Sequence, residues 1–114
     1  MKNNLKYVRE RAGIPQQDIA TLLDMKPPNL IRYENGQRNP TPEIILTYHI
    51  LFGATLNDLF IPLVKTVKRN LVHRSLGLID LLNVNQSPKS IKRIAYLNEV
   101  VNLLNQEHEY ESRN

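Results

Sequence analysis

The chain has 114 residues, with 15 lysines and arginines against 11 acidic residues, a formal net charge of +4 and no cysteine. That length suits one compact domain with an appended element, and the missing cysteines exclude disulfides and thiolate metal sites. No apolar run approaches the roughly 20 residues of a bilayer span and no signal-peptide pattern is present, so a cytoplasmic protein is expected.

Few β-branched alternating runs occur, and the apolar residues recur at spacings of three and four, the period of helices. Helix 1 is expected from about Leu5 to Arg11, capped by Asn3 or Asn4 and ended by Gly13, with Leu5, Val8 and Ala12 along one side. Helix 2 runs from about Gln16 to Leu23, where Ile19, Ala20, Leu22 and Leu23 mark the buried face. Ala20 is the small residue that lets a steeply crossing neighbour come close. After the bend Asp24-Met25-Lys26, Pro27 and Pro28 open helix 3, because a proline in the first turn lacks an N–H that would be unpaired there anyway. Leu30 and Tyr33 turn inward, and Asn35-Gly36 accepts the left-handed conformation that stops the helix at about Glu34. Thr41-Pro42 caps and starts helix 4, which reaches Phe52 before Gly53. Thr55 with Asp58 resembles a capping box for a short helix 5.

From Pro62 to about Leu82 the apolar residues again recur at helical spacing, and Gly77 either bends that helix or permits close packing. Ser87-Pro88 is another cap and first-turn pair, opening a last helix to about Gln106. Two long helices on a short connection form an antiparallel hairpin. The last helix is apolar over a wider face than one partner covers, so the hairpin either packs back on the first domain or joins a second subunit, with Ile94, Leu97, Val101 and Leu104 as the dimerisation residues. The chain thus divides into residues 1–61, a helical hairpin over 62–107, and a polar tail over 108–114. His49, His73 and His108 show no ligand spacing, so each is read as a surface residue, and no metal or cofactor is expected. Basic residues on the last two helices, such as Lys68, Arg74 and Lys92, are read as a solvated face.

The stretches LKYVRERAGIPQQDIATLL, IRYENGQRNPTPEIIL and LFGATLNDLF, in this order, resemble the Cro/C1-type, or XRE-type, helix-turn-helix domain between Asn4 and Phe60. The resemblance implies an all-α, five-helix lambda-repressor-like domain over residues 1–61, with the motif at 16–35 and the two-helix C-terminal hairpin appended. It implies that helix 3 enters the major groove of double-stranded DNA, with base contacts mapping onto Pro27, Pro28 and Arg32, and Lys26 and Asn29 beside them. It places Gln16 and neighbouring Gln17 at the phosphates, with Asn35 and Arg38 at backbone-contacting positions. It also implies a structural ion pair between Arg9 and Glu34, since a carboxylate would repel phosphate.

The chain departs from the family pattern where Lys26 and Pro15 replace the usual Ser or Thr caps, and where two prolines replace polar readers. Proline donates no side-chain hydrogen bond, so those positions offer only apolar contact, for instance to a thymine methyl, and hydrogen-bonded readout falls to Arg32 and Asn29. Residues 1–60 carry 7 Lys+Arg against 6 Asp+Glu. So modest a balance favours two copies on one duplex over a single copy.

The expected function is a homodimeric, sequence-specific transcriptional regulator on an inverted-repeat operator. The alternatives are an antitoxin-like repressor bound to a protein partner, or a protein-binding module that kept the fold. No phosphate-cradling glycine loop, metal cluster or nucleophile–base pair is visible, so no enzymatic activity is expected.

Overall fold

Capping and turn chemistry set the element boundaries in the computed structural model of the chain, which describes the backbone of residues 1–113 and the side chains of residues 1–107. Seven helices and no strand occur among the described residues: α1 (Leu5–Arg11), α2 (Gln16–Leu22), α3 (Pro27–Glu34), α4 (Pro42–Phe52), α5 (Leu56–Leu59), α6 (Ile61–Val84) and α7 (Pro88–Arg113). The expected five short helices followed by two long ones are present. They group into two compact units, Met1–Lys65 and Thr66–Asn114, and the division falls within α6.

In the first unit, Leu5, Ile19, Leu30, Ile44, Tyr48 and Leu59 are buried almost completely and close one core. Each such side chain contributes roughly 1.5–3 kcal/mol on burial, so these six anchor five helices of low individual stability. The helix α2 packs on α3, and α1 on α4 and α5. Ala20 is buried with only 1% exposure, in keeping with the small residue expected on the inner face of α2.

Three of the short helices end in a left-handed residue. Gly13 after α1 (φ 74°), Gly36 after α3 (φ 83°) and Gly53 after α4 (φ 64°) use the freedom that a missing Cβ gives. At Gly36 a second constraint applies, because a Cβ there would lie 2.7 Å from the Met1 carbonyl oxygen. Asn35 itself stays at φ −89°, so within the expected Asn-Gly pair the glycine alone turns left-handed. Between α2 and α3 the left-handed position is filled by Asp24 (φ 54°). The Asp24 N–H donates to the Thr21 carbonyl (3.1 Å) and the Met25 N–H to the Ala20 carbonyl (2.9 Å), which completes a Schellman stop.

The caps follow the sequence. Thr41 Oγ1 accepts from the Ile44 N–H (3.3 Å). The Thr55–Asp58 capping box has both of its bonds: the Asp58 N–H donates to Thr55 Oγ1 (3.1 Å) and the Thr55 N–H donates to Asp58 Oδ2 (2.8 Å), and hydrogen bonding from Thr55, its backbone N–H first, holds the exposed Asp58 carboxyl below the usual carboxylate range. At α1, Asn4 occupies the cap position, but its Nδ2 donates to the Asp58 carbonyl (3.1 Å). Asn3 is the residue that accepts from the Leu5 N–H (3.0 Å), and its amide donates to the Tyr33 carbonyl (2.9 Å). One asparagine therefore ties the start of α1 to the end of α3.

The second unit is an antiparallel hairpin, its direction fixed by the ion pair from Lys68 on α6 to Glu107 on α7 (3.0 Å). Ser87 caps α7 by accepting from the Ser90 N–H (3.2 Å), while Ser90 Oγ accepts from the Ser87 N–H (2.6 Å), a reciprocal pair with serine in place of the usual glutamate. Both long helices exceed their expected ends, α6 to Val84 and α7 to Arg113, because charged and polar residues continue a helix as readily as they end one. The polar character expected of 108–114, His108 included, concerns side chains outside the described residues.

Ile94, Leu97, Val101 and Leu104, expected as dimerisation residues, lie on a stripe of α7 that is largely covered within the single chain: Val101 is 5% exposed and the other three are half-buried. The three-four rhythm that singled them out marks the seam of the hairpin itself.

Gly77 lies within the continuous helix α6, and nothing among the described residues comes within 4 Å of a Cβ built there. It therefore serves no close approach, and its flexibility is only a cost. Gly77→Ala is expected to raise the unfolding free energy by about 0.5–1 kcal/mol, read as a higher urea midpoint at unchanged slope. A lower midpoint would show that the helix needs the glycine.

Candidate nucleic-acid interface

The last residue of α3 orients that helix. Glu34 accepts from Arg9 through Nε (2.7 Å) and Nη2 (3.0 Å), a bidentate pair whose side chains are 8% and 1% exposed. Gln16 Nε2 donates to the same carboxylate (2.8 Å), as does the Tyr48 hydroxyl (2.6 Å). Arg9 is further held by the Ile14 carbonyl (3.0 Å). One carboxylate thus joins α1, α2, α3 and α4. Burial alone would push the Glu34 carboxyl up, but hydrogen bonds from Arg9, Tyr48 and Gln16 more than offset it and leave the group below its ordinary value. The same bond to Glu34 raises Arg9, and burial together with Glu34 raises the Tyr48 hydroxyl far above its ordinary range. The expected Arg9–Glu34 pair is present. Sequence reasoning placed Gln16 only at phosphate, since nothing in the spacing tells which polar groups meet a shared acceptor.

With Leu30 and Glu34 turned inward, the opposite side of α3 faces outward. At 100° per residue Pro28, Ile31, Arg32 and Asn35 share that side, and all four are exposed, as is Pro27 at its edge. Asn29 lies on the flank, half-buried beside Tyr33, and so is less available than its neighbours. Ile31, which the sequence analysis did not single out, stands midway along the ridge. Its spacing of three from Pro28 and four from Asn35 was the available signal.

The N-terminus of α3 has no side-chain cap from Lys26, and Pro27 and Pro28 carry no N–H. The leading end of the helix therefore shows two pyrrolidine rings where most helices show free donors. Lys26, Arg32 and Arg38 are exposed and have no ion pair among the described residues. Asn35 Oδ1 accepts from the Gln37 N–H (3.1 Å), which leaves its amide N–H groups as outward donors. The Arg38 N–H donates to the Arg32 carbonyl (3.0 Å), fixing the loop that carries Arg38 against the end of α3. Gln16 is half-buried with one amide hydrogen committed to Glu34, while Gln17 beside it is exposed. The structure thus gathers Lys26, Pro27, Pro28, Arg32, Asn35 and Arg38 on or beside α3, and Gln16 and Gln17 at the start of α2. Among the described residues no cluster of His, Cys, Asp and Glu could hold a metal ion, and no helix is long and apolar enough to cross a membrane.

A family model described as helix-turn-helix matches residues 5–59. An uncharacterized HTH-type transcriptional regulator of Methanocaldococcus jannaschii is 33% identical over 61 residues, which are 54% of this chain and 92% of that protein. No solved structure matches the chain.

The Glu34 cluster makes stability depend on pH. Because the folded carboxyl is held below its unfolded value of about 4.3, its contribution is complete above that pH and is lost as pH falls through the folded value. Glu34→Gln is expected to lower stability at neutral pH by about 3–5 kcal/mol, since it leaves Arg9 buried without a counter-charge, and to flatten the acid slope. Denaturation followed between neutral pH and strong acid checks both; an unchanged slope would remove Glu34 as its source.

Proposed function

The chain belongs to the Cro/C1-type helix-turn-helix family of DNA-binding transcriptional regulators, and we propose that it binds an inverted-repeat operator as a homodimer, with α3 of each copy in a major groove. The observation that carries this reading is the bare outward ridge of α3, where the unpaired Arg32 stands among Pro28, Ile31 and Asn35. A major groove about 12 Å wide admits one helix, and each base pair shows its own pattern of donors, acceptors and methyl groups there.

In this arrangement Arg32 reads guanine O6 and N7 through its two-pronged guanidinium, while Pro27, Pro28 and Ile31 offer only apolar surface. Apolar surface in a major groove selects the thymine methyl. Lys26 and Asn29 contact the edges of neighbouring bases. Gln16, Gln17, Asn35 and Arg38 hold phosphates and fix the register. The amide of Gln16 has two hydrogens, so it can serve Glu34 and a phosphate together. Two copies about 34 Å apart on one face of the duplex double a modest set of contacts and impose half-site spacing.

Selection of bound duplexes from a random library tests the proposal, and enrichment of two inverted half-sites is the expected result. On the selected site, Arg32→Ala is expected to cost about 1–3 kcal/mol and to relax preference at one base position. Replacing thymine by deoxyuridine in the half-site is expected to weaken binding about fourfold for each methyl held by the prolines or Ile31. Binding that is indifferent to salt would overturn the DNA reading altogether, because phosphate contacts release counterions. Affinities come from titrations at fixed ionic strength.

A further inference from the structure

The hairpin of the second unit carries more apolar surface than it covers itself. On α6 the covered stripe includes Val72, Ser75 and Ile79, and on α7 it includes Ser90, Ile94 and Val101. A second stripe stands about 100° round each helix at 100° per residue. On α6 it is Val67, Leu71, Leu78 and Leu81, which are 45%, 48%, 39% and 72% exposed. On α7 it is Tyr96, Val100 and Leu103, with Tyr96 69% and Leu103 55% exposed.

Both second stripes are displaced from the covered seam in the same rotational sense along their own chain direction. In an antiparallel pair that brings them to one side of the hairpin. The packing agrees, because Leu78 of α6 lines an open groove of about 510 Å³ together with Arg93, Tyr96 and Leu97 of α7. An apolar side of this extent, interrupted on α6 by Arg74, is uncommon on a solitary small domain.

We infer that this side is covered by the same side of a second copy of the chain, α7 lying antiparallel to α7, so that two hairpins form a four-helix bundle. Charge selects both the occupant and the direction. Along α7 the basic residues Lys89, Lys92 and Arg93 come first and the acidic Glu99 follows, while Glu107 is held by Lys68 of the same chain. A two-fold axis near Tyr96 sets Arg93 of one α7 opposite Glu99 of the other, whereas parallel pairing would set like against like. Arg74 interrupts the α6 stripe, and its long methylene stem lets it lie across an apolar seam with the guanidinium at the rim. The inference rests on the homodimer proposed above and supplies its surface.

The test uses the full chain in sedimentation equilibrium, with circular dichroism as the check on folding. The chain is expected to be a dimer, and Leu71→Asp combined with Tyr96→Asp, both at positions exposed in the single chain, is expected to give a helical monomer. Val101→Asp, inside the hairpin, is expected to cost helicity instead. Arg93→Glu or Glu99→Arg alone is expected to weaken dimerisation about tenfold, and the two together to restore it. A monomeric wild-type chain, or a dimer untouched by the double aspartate variant, would overturn the surface; failure of the paired charge reversal to restore would overturn the antiparallel direction. Salt-dependent binding to a single half-site duplex is read separately. A chain that binds the half-site yet stays monomeric sinks the bundle and the homodimer but leaves the DNA reading standing, and a bundle that ignores duplex DNA sinks the DNA reading alone.

Discussion

A carboxylate removed from water must be either neutralised or surrounded by donors, and that constraint at Glu34 organises the first unit. Its oxygens are filled by Arg9, Gln16 and Tyr48, which come from three other helices. Breaking the contact to Arg9 or to Tyr48 leaves a buried polar group unpaired, so helices of seven to eleven residues are held at fixed angles that their own propensity could not maintain. Because Glu34 is the last residue of α3, the contact fixes the rotation of that helix about its axis as well as its position. Which side chains face outward follows from that rotation.

The outward side is chemically unusual for a helix proposed to read base edges. Two prolines remove backbone donors from its leading end, and Lys26 supplies no cap. The stop before it is made by Asp24 in a left-handed conformation that glycine would adopt with less strain. Local geometry at this turn is therefore set by the tertiary contacts of Met25 and Leu23 with the core, more than by the preferences of the turn residues.

Much of this was legible in the sequence, because the short helices are bounded by residues with a single structural meaning. Gly13, Gly53, Thr41-Pro42 and the Thr55–Asp58 pair each mark a boundary through backbone chemistry that does not depend on the rest of the fold. The Arg9–Glu34 pair was legible through the resemblance and not through spacing. Less legible were properties that require knowing the rotation of a helix in place. Asn29 proved half-buried and Ile31 exposed on the ridge for that reason. The apolar rhythm of α7 identified a seam correctly but not what fills it, since Val101 and its neighbours would show the same spacing against α6 as against a second subunit. The sequence left the cap of α1 open between Asn3 and Asn4 because either can accept from the first turn, and the choice is made by carbonyls of Tyr33 and Asp58 that are distant in sequence.

None of the residues on the outward ridge of α3 takes part in the Glu34 cluster: Pro28, Ile31, Arg32 and Asn35 all point away from it. Support and the proposed readout are thus written in separate letters of the same eight-residue helix. On that proposal, exchanging the four outer positions while the inner ones stay fixed moves a lineage to new targets without first passing through an unfolded intermediate.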